Sequence, residues 1–291
     1  MNKVRIYKPF TLLLMMMAFV FITAACSTAQ NGTRDQKTAW EQLKEKGKIV
    51  VATSGTLYPT SYHDTDTGKD KLTGYEVEVV REAAKRLGLD VEFKEMGFDG
   101  MLTAVNSGQV DAAANDITMT KDRQKKFLFS KPYKYSYGTA IVRKKDLSGI
   151  RTLDDLKGKK AAGAATTVYM DIARKYGAEE VIYDNATNEQ YLKDVANGRT
   201  DVILNDYYLQ KLALAAMPDL DLTIHPDFKY YPHQQGLIMK KGNTGLKEQF
   251  DQTIKDMLKD GTIKKISKTF FGGADVSKKQ DIDFIDVDVN Q

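Results

Sequence analysis

One succession of elements occurs twice in this chain, and both copies stop at the same dipeptide. In the first copy, Lys48-Ile49-Val50-Val51-Ala52 reads as a buried strand. Val79, Val80, Ala83, Ala84 and Leu87 share one face of a helix that Gly88 closes, and Val91 and Phe93 alternate as a second strand. A second helix starts at Phe98, carries Val105 and ends at Gly108, and a third strand from Val110 to Ala114 halts at Asn115-Asp116. In the second copy the strands are Lys160 to Ala164, Val181 to Tyr183 and Thr200 to Leu204. The helices between them carry Val168, Ile172 and Ala173, and then, after Asn188 as a cap, Leu192 and Val195. This copy halts at Asn205-Asp206. Parallel strands need a long crossover, which a helix supplies, so each copy predicts its own parallel sheet faced by helices. In 291 residues that means two α/β lobes.

Two extended segments of the same shape, Ile141-Val142-Arg143-Lys144-Lys145 and Leu237-Ile238-Met239-Lys240-Lys241, predict a two-strand hinge. Two further apolar faces, Leu246/Phe250/Ile254/Met257 and Ile263/Ile266/Phe270, predict helices that return to the first lobe. The expected division is lobe one at 45–142 plus 237–271, lobe two at 143–236, and a tail at 272–291 for which an edge strand and a disordered end both fit. His63 to Lys71, turn-rich and charged, reads as an exposed excursion.

Ligands of α/β folds lie where a buried strand opens onto a polar loop. After Ala114 the loop offers Thr118, Thr120 and Arg123. A guanidinium presents two parallel donors that match a carboxylate, and the hydroxyls add more. Taken alone, the stretch fits equally well a surface helix capped by Thr120 with Arg123 solvated.

The net charge is +4, of which Lys3, Arg5 and Lys8 supply three, so the rest of the chain stands near +1. That excludes a nucleic-acid footprint. His63, His225 and His233 are scattered and there is one cysteine, so no metal site and no intrachain disulfide are expected. Residues 1–9 are basic, and Phe10 to Ile22 is a run of thirteen residues, apolar apart from Thr11. Ala24-Ala25 and the single cysteine, Cys26, follow. This predicts a signal peptide at 1–25. The junction resembles a bacterial lipobox, with Thr23 in place of the usual leucine, and so implies lipidation of Cys26. Residues 26–44 would be a tether holding the body at the outer face of the cell membrane.

Eight motifs in order carry a family resemblance: Gly74-Tyr75-Glu76-Val77-Glu78-Val79, Phe98-Asp99-Gly100-Met101-Leu102, Gly108-Gln109-Val110-Asp111-Ala112, Ile117-Thr118-Met119-Thr120-Lys121-Asp122-Arg123, Phe129-Ser130-Lys131-Pro132-Tyr133, Leu153-Asp154-Asp155-Leu156-Lys157-Gly158-Lys159, Gly198-Arg199-Thr200-Asp201-Val202 and Lys259-Asp260-Gly261-Thr262. Over residues 45–271 the chain resembles the family 3 extracellular solute-binding proteins, the amino-acid receptors of bacterial ABC importers. The resemblance implies a periplasmic-binding-protein-like type II fold, a monomer without cofactor, and partnership with ABC transporter permease subunits. It assigns Arg123 to the ligand carboxylate, supported by Thr118, Thr167 and the N–H of Val168. It gives Asp206, with the carbonyl of Asp116, to the ammonium, and makes Phe98 an apolar wall. Ser54 stands where relatives carry an acid, and the usual aromatic falls on Leu57 with Tyr58 beside it, so Tyr58 is expected at the side-chain end. Asn115-Asp116 is reminiscent of the cystine-binding branch. The rival implied by the same fold is a dehydratase of the cyclohexadienyl or arogenate type, which needs an acid held near neutrality in the cleft.

Overall fold

The computed structural model describes residues 38–65 and 68–287. The expected signal segment, Cys26 and the tether as far as Lys37 lie outside the described residues. Residues 39–44, expected within the tether, are helical instead. Thr38 accepts the Glu41 N–H and the Glu41 carboxylate accepts the Thr38 N–H, a reciprocal cap that starts helix α1 (Ala39–Lys46) and brings Leu43 into the core.

The first lobe then runs β1 (Lys48–Thr53), β2 (Thr56–Leu57), β3 (Ser61–Asp64), β4 (Lys71–Thr73), α2 (Tyr75–Arg86), β5 (Asp90–Glu95), α3 (Phe98–Ser107), β6 (Ala112–Ala113), α4 (Lys121–Lys126) and β7 (Phe127–Phe129). The segment read as an exposed excursion belongs to a small antiparallel sheet, in which β3 pairs with both β2 and β4. Gly74 joins that sheet to α2 at φ 126, where a Cβ would fall 2.4 Å from the Thr60 carbonyl oxygen, so only glycine fits. The Thr60 carbonyl in turn accepts the Glu76 N–H at 3.1 Å and pins the start of α2.

The second lobe contains β8 (Lys134–Arg143), β9 (Lys160–Gly163), α5 (Val168–Lys175), β10 (Glu179–Ile182), α6 (Asn188–Ala196), β11 (Ile203–Asp206), α7 (Tyr207–Ala216), β12 (Leu222–Ile224) and β13 (Tyr230–Gln235). The cap of α6 is Thr187 rather than Asn188. The chain returns through β14 (Ile238–Lys240), α8 (Thr244–Lys259) and α9 (Thr262–Phe270).

The two main sheets follow one plan. In lobe one the order is β5-β1-β6-β14-β7, with β14 antiparallel to its neighbours. In lobe two β10 and β9 are parallel, Ala161 bridges Val202 in parallel, and β11 pairs antiparallel with β8. Lobe one buries Val79, Val80, Phe250 and Ile254 on one face of its sheet and Met101, Ala104 and Val105 on the other. Lobe two buries Ile172 and Tyr230 on one side and Leu192 and Val195 on the other.

This pairing moves the lobe boundary. Residues 134–142 were expected in lobe one, but β8 pairs with β11, β12 and β13 and so belongs to lobe two. The crossing falls just before it, where the Ser130 N–H reaches the Leu237 carbonyl at 2.9 Å and the Tyr133 N–H the Gln235 carbonyl at 3.3 Å. The two look-alike segments are alike because each carries an antiparallel strand of its own lobe.

As far as Val287, the tail packs on both lobes. Val276 is buried in the core of lobe one and its carbonyl accepts the Tyr135 N–H at 2.7 Å. The Ile285 N–H reaches the Lys229 carbonyl at 2.7 Å, and Val287 is buried in the core of lobe two. The segment therefore straps the lobes together beside the hinge. Ending the chain at Gly273 removes two buried valines, each contributing about 1.5–3 kcal/mol on the area scale. Urea unfolding should show a stability loss of about 3 kcal/mol or more; a midpoint unchanged by the truncation would mean that the strap carries no energy.

Candidate functional site

The lobes meet across a cleft and enclose a cavity of about 130 Å³, close to the volume that admits one benzene-sized group. Hydrogen bonds between the two lobes close it. Arg123 Nη2 donates to the Thr166 carbonyl at 2.8 Å, and the Thr166 hydroxyl donates to the Asp99 carboxylate. The Thr56 hydroxyl donates to Asn185 at 3.0 Å, and Asn188 donates to the Tyr58 carbonyl at 3.1 Å.

Phe98, Asp116, Thr118, Arg123, Thr167 and Val168 all line this cavity. Thr120 caps α4 by accepting the Arg123 N–H at 3.1 Å, and Arg123 Nη1 turns back to the Thr118 carbonyl at 3.0 Å. The cap and the guanidinium thus coexist, although the sequence offered them as alternatives. Phe98 lies 5.3 Å from the guanidinium carbon and covers it as a cation–π partner. Burial lowers the Arg123 pKa, and no carboxylate lies within 4.0 Å of the guanidinium among the described residues. A desolvated cation without a paired anion is costly. Across the cleft, Thr167 spends its hydroxyl on its own turn, accepting from Met170 N–H at 3.3 Å and donating to the Ala164 carbonyl at 3.0 Å. Val168 follows it at the start of α5, where helix N–H groups lack intrahelical acceptors and favour an anion.

Two expected residues stand elsewhere. The Tyr58 ring packs on Tyr62 at 4.8 Å between centroids, because the chain turns after the two-residue strand β2 and carries the ring outward. Leu57 lines the cavity instead. Asp206 is fully buried behind the wall. Its Oδ1 accepts the Leu209 N–H at 3.1 Å as the cap of α7, and its Oδ2 accepts Lys134 Nζ at 2.8 Å and Gln235 Nε2 at 3.2 Å.

Sequence reasoning missed Lys134 and Glu76. Lys134 Nζ lies 2.6 Å from Asp116 Oδ1 and, like Asp206, is fully buried. Burial opposes its charge, but Asp116 and Asp206 outweigh that and raise its pKa. Burial alone would also raise Asp206, yet the Lys134 ammonium and His233 hold it far below the usual carboxylate range. Asp116 sits at φ 57, and its N–H donates to Glu76, which also accepts the Tyr133 hydroxyl. Desolvation pushes Asp116 up to about 6, with Asp206 adding to it and Lys134 opposing. Desolvation and the Asp116 charge push Glu76 up to about 7.

For Glu76 and Asp116 the folded state therefore holds protons more tightly than the unfolded chain. Their contribution is complete below the unfolded values of 4.5 and 3.8 and is lost as pH rises through about 7 and 6. Ligand-free protein should lose stability between pH 5 and pH 8. Glu76→Gln should remove up to about 3 kcal/mol of that slope. Thermal unfolding across this range checks it, and parallel curves for the two proteins would contradict it.

A cleft between two α/β lobes joined by paired crossing strands defines the class: a type II periplasmic-binding-protein fold. Residues 49–273 match the bacterial extracellular solute-binding proteins, family 3, and the chain belongs to that family, which serves amino-acid ABC transporters. The probable ABC transporter extracellular-binding protein YckB of Bacillus subtilis (strain 168) is 76% identical over 273 residues, 94% of this chain and 95% of that protein. The YckB crystal structure matches with a TM-score of 0.70 at 79% identity, over 86% of this chain and 100% of the other. The L-cystine-binding protein TcyA of the same organism is 37% identical, over 92% of this chain and 98% of its own length. The crystal structure of the L-cystine solute receptor of Neisseria gonorrhoeae, unliganded and open, matches with a TM-score of 0.54 at 34% identity, over 82% and 98% of the two chains.

Proposed function

We propose that the chain is a lipid-anchored receptor on the extracytoplasmic face of the cell membrane. It binds one polar L-amino acid between its lobes and delivers it as a monomer to ABC transporter permease subunits. The observation that supports this best is Arg123, a half-buried cation on the cavity wall with no carboxylate paired to it among the described residues, in the same cavity as the Asp116 carboxylate. A zwitterion answers both ends: its carboxylate faces Arg123, the Thr118 backbone and the Val168 N–H, and its ammonium faces Asp116. Asp206 stands behind Asp116 rather than at the ligand. Phe98 and Leu57 flank the ligand side chain. L-cystine is the first candidate, because relatives named for binding it align over most of the chain.

A thermal-shift screen of the amino acids, cystine included, tests this. A ligand that binds only the folded state stabilises by about 2.7 kcal/mol at a hundred times its Kd, so a true hit grows with concentration. A screen in which no amino acid raises the melting temperature would sink the proposal. The anchor is tested separately: Cys26→Ser should move the protein from the membrane fraction to the medium, and a variant that stays in the membrane fraction refutes anchoring at Cys26.

The dehydratase reading gains one observation, since Asp116 is an acid raised to about 6 on the cavity wall. Against it, the Asp116 carboxylate is tied to Lys134 at 2.6 Å, which suits a fixed charge better than a proton donor. Incubation with arogenate or prephenate decides between the readings, and aromatic product would favour the enzyme.

A further inference from the structure

Three groups of opposite sign meet at the hinge side of the cavity. Lys134 begins β8, Asp116 follows β6 in lobe one, and Asp206 ends β11 in lobe two, so one ammonium ties a carboxylate of each lobe. Asp206 is fully buried and does not line the cavity, and both its oxygens already accept hydrogen bonds. Asp116 differs: Oδ1 holds Lys134, while Oδ2 accepts no hydrogen bond among the described residues, and the residue lines the cavity. No ion pair joins Asp116 to Arg123, so the cavity carries two separate poles.

We propose that Lys134 is a specificity-determining residue: by cancelling one of the two buried carboxylates it leaves this pole a single negative charge, and so fixes the matching end of the ligand at one ammonium. The proposal rests on the amino-acid reading of the cleft and deepens it. Buried charge is tolerated only when balanced, so the number of ammonium groups a ligand brings has to equal the charge the wall leaves open. With Lys134 that charge is one. Without Lys134 a second ammonium on the ligand can take the place of the lysine against the second carboxylate, and without the Asp206 charge the pole is neutral. Glu76 and His233 face the same cluster but do not line the cavity, and neither is substituted in the comparison.

The test titrates aminobutyrate and diaminobutyrate, which share a carbon skeleton and differ by one ammonium, into four full-length proteins by calorimetry at neutral pH. These are the wild type, Lys134→Met, Asp206→Asn, and the double variant Lys134→Met/Asp206→Asn. Asparagine caps helices as well as aspartate does, so Asp206→Asn retains the cap of α7. The affinity ratio of diaminobutyrate to aminobutyrate should rise by about tenfold or more in Lys134→Met and fall by a similar factor in Asp206→Asn. It should return to the wild-type ratio in the double variant. Should Lys134→Met fail to fold, the comparison of Asp206→Asn with the double variant still carries the test. A ratio that ignores the charge of the pole while binding persists overturns the role of Lys134 alone. A wild type that binds no amino acid at all overturns the parent reading instead.

Discussion

Arg123→Met should abolish binding of any amino acid that the wild-type protein holds. Truncating one partner of a buried, hydrogen-bonded charge pair costs about 2–5 kcal/mol, and here a factor on the order of a hundred or more in Kd is expected by calorimetry. The ligand-free protein should behave differently. Arg123 gives up two hydrogen bonds to carbonyl oxygens of Thr118 and Thr166, but the variant also removes a desolvated cation that has no carboxylate beside it. These effects oppose each other, so unfolding of the ligand-free variant should shift by no more than about 1 kcal/mol. A residue that served the fold would show the reverse: lost stability with intact binding.

Lys134→Met should have the largest effect on stability. The substitution leaves Asp116 and Asp206 facing each other in the interior, both fully or almost fully buried. Removing one partner of a buried ion pair costs about 3–5 kcal/mol, chiefly through the charge left behind. Urea unfolding should show that loss in the single variant. Most of it should be recovered when Asp206→Asn is added, because the second change removes the stranded charge. If the double variant were no more stable than the single one, the loss would come from packing of the lysine stem and not from charge.

The two lobes were legible in the sequence because their evidence is periodic. The apolar face of α2 and the short buried strands repeat at spacings that only alternating helix and strand produce. Arg123, Thr118 and Phe98 were legible as cavity-wall residues because they follow an identifiable strand or open an identifiable helix. Lys134 was not. A lysine among tyrosines at the head of a strand reads as solvent-facing, and its partners lie 18 and 72 residues away along the chain. Only the fold brings one carboxylate from each lobe to it. The resemblance gave Asp206 to the ligand; its local sequence fits the cap of the following helix, which it forms, but nothing local reveals that the chain also supplies its own ammonium there. The lobe boundary slipped for another reason. A hinge segment and an antiparallel strand are both extended, and only the pairing of β8 with β11 tells them apart. Tyr58 shows the same limit at the scale of a single turn, where one residue separates the cavity face from the outer face.

The most direct measurement is a crystal structure of the protein grown with L-cystine, or with whichever amino acid gives the largest thermal shift. The ligand carboxylate should lie within hydrogen-bond distance of the Arg123 guanidinium and its ammonium on the Asp116 oxygen that Lys134 does not hold. A ligand held with its ends reversed, or seated outside the cleft with Arg123 and Asp116 untouched, would contradict that placement.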